Sequence, residues 1–124
     1  MIPRTKPLRY FGDVVLDTSI AKQFYDGLGV FANRDFQKGE VVVQWHLQHL
    51  TDAEYKKLPE YERHHFCHKR NGQYLLYPEP ERHVNRSKHP NVFTDFEKEA
   101  DVALRYIKKG EEITILDSTL EDFE

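Results

Sequence analysis

The chain has 124 residues, and its 18 Lys and Arg stand against 21 Asp and Glu for a formal net charge of −3. That length builds one core with no independent second one, and the balanced charge carries no basic footprint for direct nucleic-acid binding. No stretch reaches the roughly 20 apolar residues of a membrane span, and the single cysteine, Cys67, excludes an intrachain disulfide.

Residues 1–7 are basic, include Pro3 and Pro7, and have no apolar run behind them. They read as an extended arm, with no secretory leader expected. With one cysteine, the expected compartment is a reducing one, cytoplasmic or, in a eukaryote, nuclear. Val14–Thr18 is a short β-rich run, and Gly27-Leu28-Gly29 followed by Val30-Phe31-Ala32 reads as a turn feeding a strand. Val41–Trp45 sets three valines before an aromatic and is the clearest strand.

The middle of the chain changes period. Thr51-Asp52-Ala53-Glu54 is a capping-box pattern, which predicts a helix from about Thr51 to Leu58. Pro59 suits the first turn of a second helix running to about Phe66. In His64-His65-Phe66-Cys67-His68, the helical spacing sets His64 and His68 on one face. Two readings stand there, a zinc pair and a solvated helix end whose histidines favour the helix dipole. The second is the expectation, with no metal, since no further ligand pair accompanies them. His46 and His49 carry no signal.

Asn71-Gly72 marks a turn ahead of a strand at Gln73–Tyr77, and Asn91–Phe96, Asp101–Ile107 and Glu111–Leu116 are further β-prone stretches. Arg34-Asp35-Phe36-Gln37-Lys38-Gly39-Glu40 also parallels Arg105-Tyr106-Ile107-Lys108-Lys109-Gly110-Glu111. Each reads as a strand end, an apolar anchor and a Lys-Gly turn in which glycine tolerates positive φ. Alone, the pair says only that the chain is β-rich with tight turns.

Some segments suggest chemistry. Gly27 and Gly29 remove Cβ atoms where a backbone would approach a ligand, although a hairpin turn explains them equally. The pair lacks the third glycine and the acidic partner of a dinucleotide fingerprint. Arg82-His83-Val84-Asn85-Arg86-Ser87-Lys88-His89-Pro90-Asn91 is polar and ends on a proline, as a surface turn does. The acidic stretch 117–124 reads as a frayed tail or as an attractor for a basic peptide.

Taken in order, these segments resemble the SET-domain family in a small, single-domain form with degenerate motifs. The Gly27-Leu28-Gly29 strand with Lys38-Gly39-Glu40, the Asn85–Asn91 segment and the Gly110-Glu111-Glu112-Ile113-Thr114 turn and strand match its three landmarks. The resemblance implies a mainly-β SET domain of the β-clip type over residues 1–124, with short twisted sheets around one core. It implies a C-terminal pseudoknot, Asn85–Asn91 crossing the Ile113–Asp117 strand, a helical insert at 51–67 and a tail at 118–124.

The implied function is a protein-lysine N-methyltransferase using S-adenosylmethionine, with Gly27, Leu28, Gly29, Asn85 and Arg86 at the cofactor. Tyr74, Tyr77 and Asp117, with Phe123, are the expected substrate-channel residues. The expected partner is a protein with an exposed lysine, with neither nucleic acid nor membrane. Two positions depart from the family pattern: Arg86 stands where it has a histidine, and Asp117 where it has the catalytic tyrosine. Methyl transfer depends on alignment in a water-poor channel and on a neutral amine, which a carboxylate at Asp117 disfavours. The alternative is a catalytically inactive SET-fold module acting in protein–protein interaction.

Overall fold

The computed structural model describes residues 8–19 and 27–116. The arm 1–7, Asp117 and the tail 118–124, with Phe123, lie outside the described residues. In chain order the strands are β1 (Arg9–Phe11), β2 (Val14–Thr18), β3 (Leu28–Ala32), β4 (Val41–Gln44), β5 (Gln48–Leu50), β6 (Cys67–Arg70), β7 (Gln73–Leu76), β8 (Asn85–Ser87), β9 (Val92–Asp95), β10 (Ala100–Ala103) and β11 (Glu112–Leu116). They form three small sheets, ordered β1-β2-β3-β11-β8, β4-β10-β9 and β5-β7-β6. The mainly-β expectation therefore holds.

Pairing explains the burial along each strand. In β2, Val14 and Leu16 point into the core while Val15 and Asp17 stay partly exposed, the period of a half-buried strand. β3 lies between β2 and β11, and four of its five residues are buried. The core joins Val14, Leu16 and Val30 to Phe36, Val92, Ile107 and Ile113.

The two echoed turns meet. Phe36 and Ile107 are both fully buried, and each donates its amide to the other's carbonyl, at 2.8 and 2.9 Å. Around them the bonds repeat in pairs: Gln37 N–H donates to Glu40 Oε1 at 2.6 Å, and Lys108 N–H to Glu111 Oε2 at 2.5 Å. Gly39 N–H donates to the Ala103 carbonyl and Gly110 N–H to the Ala32 carbonyl, with φ of 91° and 95° at the two glycines. The sequence echo is thus a near-symmetric clasp at the centre of the molecule.

The helical insert consists of α1 (Asp52–Lys57) and α2 (Glu60–Phe66). The capping box forms as expected: Glu54 N–H donates to Thr51 Oγ1 at 3.1 Å, and Thr51 N–H donates to Glu54 Oε1 at 2.9 Å. α1 buries no residue and is held by its caps and by Tyr55 stacked on Tyr74, whereas α2 anchors through Phe66. The α2 helix stops there because Cys67 is extended, at φ −111° and ψ 146°. His68 consequently belongs to β6, and the helical pairing of His64 with His68 does not exist. His64 instead faces Glu60, four residues back, at 3.5 Å. Similarly, the β-prone stretch Asp101–Ile107 is a strand only to Ala103, after which the clasp turns the chain. No helix among the described residues is long and apolar enough to cross a membrane.

The last strand enters the middle of the first sheet. β11 runs antiparallel to β3 and parallel to β8, with Thr114 opposite Asn85, Ile115 opposite Arg86 and Leu116 opposite Ser87. After β8 the chain returns across β11 through Asn91, whose amide donates to the Thr114 carbonyl at 3.2 Å. This crossing is the expected pseudoknot.

Candidate functional site

Asn85 is completely buried at the start of β8. Its Nδ2 donates to Glu112 Oε2 at 2.8 Å, the Leu28 carbonyl at 3.1 Å and Ser19 Oγ at 3.2 Å. Ser19 Oγ in turn reaches both Glu112 oxygens at 2.9 Å. Asn85 Oδ1, by contrast, is buried without a hydrogen-bond partner among the described residues. A buried acceptor left open is costly unless something donates to it.

Gly29 sits on this network. A Cβ built there would lie 2.9 Å from Ser19 Cβ and inside contact distance of the Glu112 carboxylate. The missing side chain therefore lets Ser19 and Glu112 close over β3. Gly27 plays another part: its φ is +64°, a left-handed conformation, and its carbonyl accepts from Ser19 N–H at 2.7 Å. The structure thus brings Gly27, Leu28, Gly29 and Asn85 into one cluster.

Arg86 is the exception. Consecutive strand residues point to opposite faces, so Arg86 and its partner Ile115 turn away from the Asn85 side. Both line a cleft of about 470 Å³. Its other walls include Trp45, Tyr77, Phe96, Thr94, Glu81 and Asp101, along with Phe66, Arg82 and the histidines of the α2–β6 junction. The Asn85 network and the cleft thus flank the same two strands from opposite sides.

The cleft's aromatic wall is Trp45, with its ring centroid 5.7 Å from Tyr77 and 5.5 Å edge-on from Phe96. Asp101 is buried behind it and accepts from the Trp45 indole and the Thr94 hydroxyl. Burial dominates its titration, with the nearby Glu81 charge adding to it, and its carboxyl is pushed up to about 7. Burial also raises the Tyr77 phenol, with Asp101 as the next contributor. The Glu81 side chain is fully buried; its Oε2 accepts from His46 N–H, while Oε1 has no partner among the described residues.

Of the expected channel residues, Tyr77 lines this cleft. Tyr74 instead stacks on Tyr55 of α1, with centroids 3.8 Å apart. Asp117 and Phe123 lie outside the described residues. Sequence reasoning passed over Ser19, Glu112, Glu81 and Asp101. Glu112 had a usable signal, the Gly-Glu-Glu turn, whereas nothing in the sequence separates a buried Glu81 or Asp101 from a solvated acid. No group of three or more potential metal-ligating side chains occurs among the described residues.

A family model described as "SET domain" matches residues 27–116. Among solved structures, a Plasmodium falciparum protein assigned as a histone methyltransferase aligns at TM-score 0.66 and 18% identity, covering 87% of this chain and 95% of that one. A humanized mutant of Chaetomium thermophilum Polycomb Repressive Complex 2, bound to the inhibitor GSK126, aligns at TM-score 0.59 and 22% identity. The alignment covers 83% of this chain but 14% of that one. The complex ctPRC2, in an autoinhibited conformation bound to S-adenosylmethionine, aligns at TM-score 0.62 and 20% identity, covering 84% and 15%. At these identities the likeness is one of fold. No curated protein sequence matches the chain.

Proposed function

Because the chain belongs to the SET-domain family, we propose that it is a protein-lysine N-methyltransferase that uses S-adenosylmethionine. The observation that carries this reading is the open Oδ1 of Asn85, a buried acceptor without a partner among the described residues. An amine such as that of the cofactor's amino-acid end matches this open acceptor, so the residues present fit the group. Gly27, Leu28, Gly29 and Asn85 would hold it, and Arg86 would contribute through its backbone. When bound, S-adenosylmethionine supplies an electrophilic methyl group on a sulfonium.

The chain's own residues supply alignment and exclusion of water. The Trp45, Tyr77 and Phe96 rings wall the cleft on the other side of β8 and β11, where a lysine side chain would enter. Cofactor and amine would then approach from opposite faces of one strand pair, and transfer needs the methyl carbon and the nitrogen brought into line. The substrate is a protein with an exposed lysine, and the cytoplasm, or the nucleus of a eukaryote, is the compartment this reading expects.

A second reading, a catalytically inactive SET-fold module that binds a protein partner, is favoured by Arg86 and Asp117 at the two positions where the family has histidine and tyrosine. Calorimetric titration with S-adenosylmethionine is the first test. Saturable binding that weakens about tenfold or more in Asn85→Ala supports the methyltransferase. Absence of binding by a folded sample defeats it. Methyl incorporation into lysine-rich proteins from labelled cofactor then separates enzyme from module.

A further inference from the structure

Two short runs of sequence depart from the chain's balanced charge. Residues 63–70 and 82–89 contain no Asp or Glu, although the chain as a whole is net acidic. Between them they carry Arg63, Lys69, Arg70, Arg82, Arg86 and Lys88, along with five of the chain's 7 histidines. The fold brings both runs to one place. His64, His65 and His68 reach the cleft from the α2–β6 junction, and Arg82 and Arg86 reach it from the chain entering β8. Arg70 lies 5.2 Å from the centroid of the Phe96 ring, which walls the same cleft.

Part of this charge is neutralised where it stands. Arg82 pairs with Glu62 at 2.9 Å, His64 faces Glu60 at 3.5 Å, and His83 faces Glu79 at 2.8 Å. Arg70 makes no ion pair among the described residues; an aromatic face holds it in position and leaves its charge in place. Arg86 and His68 are exposed. Glu97 and Glu99 border the neighbouring recess with Arg70, while the acids within the cleft, Glu81 and Asp101, are buried. The cleft is therefore acidic in its depth and cationic at its rim. A nucleic acid needs a basic groove that tracks its backbone, and this rim is confined to one mouth. Its complement is a short protein segment with carboxylates beside the residue that enters.

We propose that the rim selects its protein partner by sequence context, taking a segment whose residues flanking the inserted side chain are acidic, with Arg70, Arg86 and His68 as the recognising groups. That the inserted side chain is a lysine rests on the methyltransferase reading; recognition of its acidic neighbours does not. Exposed ion pairs are individually weak, so selection comes from several acting together and fades as salt screens them.

The test is fluorescence anisotropy of the full chain with labelled peptides that differ only in the residues flanking one central lysine: glutamate, glutamine or lysine. The glutamate peptide should bind about tenfold or more tighter than the lysine peptide at low salt, and the gap should close at high salt. Arg70→Gln should weaken the glutamate peptide about threefold, since one exposed pair is worth at most about fivefold, and spare the glutamine peptide. Arg86→Gln serves as the second variant should Arg70→Gln misfold. Lys69 lies on the opposite face of β6 from Arg70, over Tyr74, so Lys69→Gln removes the same charge and should change affinity less than about twofold. Equal binding of the three peptides overturns the proposal, as do undiminished binding in the folded rim variants and an equal loss in Lys69→Gln. Displacement of the glutamate peptide by single-stranded oligothymidylate would assign the rim to nucleic acid and overturns it as well. The binding needs no cofactor, so its failure beside intact S-adenosylmethionine binding strikes the rim alone. The expected peptide order in a chain that takes no cofactor would support the rim and remove the methyltransferase.

Discussion

Thr114 donates its amide to Oδ1 of Asn91 at 2.9 Å, and Asn91 donates its own amide back to the Thr114 carbonyl at 3.2 Å. Asn91 Nδ2 adds a third bond, to the Glu112 carbonyl at 2.8 Å. One buried side chain therefore satisfies two backbone groups of β11 where the chain crosses it. Asn91→Ala should cost roughly 1–3 kcal/mol, because a donor and an acceptor lose their partners together. Urea unfolding measures this, and a loss below a few tenths would show that the crossing holds without the side chain.

Gly29→Ala should be harmful despite the small change in volume. The added methyl meets Ser19 Cβ at 2.9 Å and displaces Glu112 from Asn85. Overpacking of this kind costs about 1–3 kcal/mol, and the expected result is a lower melting temperature together with weakened cofactor binding. Gly27→Ala separates the two effects, since there the difficulty is a φ of +64° and no atom lies within 4 Å.

Asp101→Asn should change stability in a pH-dependent way. The folded carboxyl sits at about 7 against an ordinary 3.8, so between those values the folded chain binds more protons than the unfolded one. Its contribution is fully present below about pH 4 and fades as pH rises through about 7, at no more than roughly 1.4 kcal/mol per pH unit. Asparagine mimics the protonated form and still accepts from Trp45 and Thr94. Thermal melts of the two proteins should thus match near pH 4 and diverge in the variant's favour up to about pH 7, then run parallel. A constant gap at every pH would place the titration elsewhere.

Thr51→Ala should act locally. The cap is worth about 0.5–2 kcal/mol, but α1 buries no residue, so the loss should appear as faster amide exchange in 52–57. The global unfolding midpoint should barely move. A large global shift would mean that the insert is coupled to the core more tightly than its packing suggests.

Legibility tracked how much of each element's signal was its own. Val14–Thr18 is legible to the residue because its β-propensity is intrinsic, and the capping box at Thr51 and Glu54 is a local pattern that forms as read. β1, β5, β6 and β8 went unrecognised as strands. Each has three or four residues, mostly exposed or polar, and is extended because a neighbour pairs with it. Asn85 was found through the resemblance. Its partners Ser19 and Glu112 come from distant segments, and only the fold brings them together.

The threading of β11 bears on how the molecule is made. Its neighbours β3 and β8 are synthesised earlier, yet each shows it a bare edge until Glu112–Leu116 arrives. A nascent chain on the ribosome therefore carries the open β3 edge from early in its synthesis and the β8 edge as well once Ser87 has been added, the state from which intermolecular pairing starts. Chains released short of β11 should be sticky rather than merely unstable, and recovery of the full chain should depend more on chaperone supply and growth temperature than its final stability would suggest.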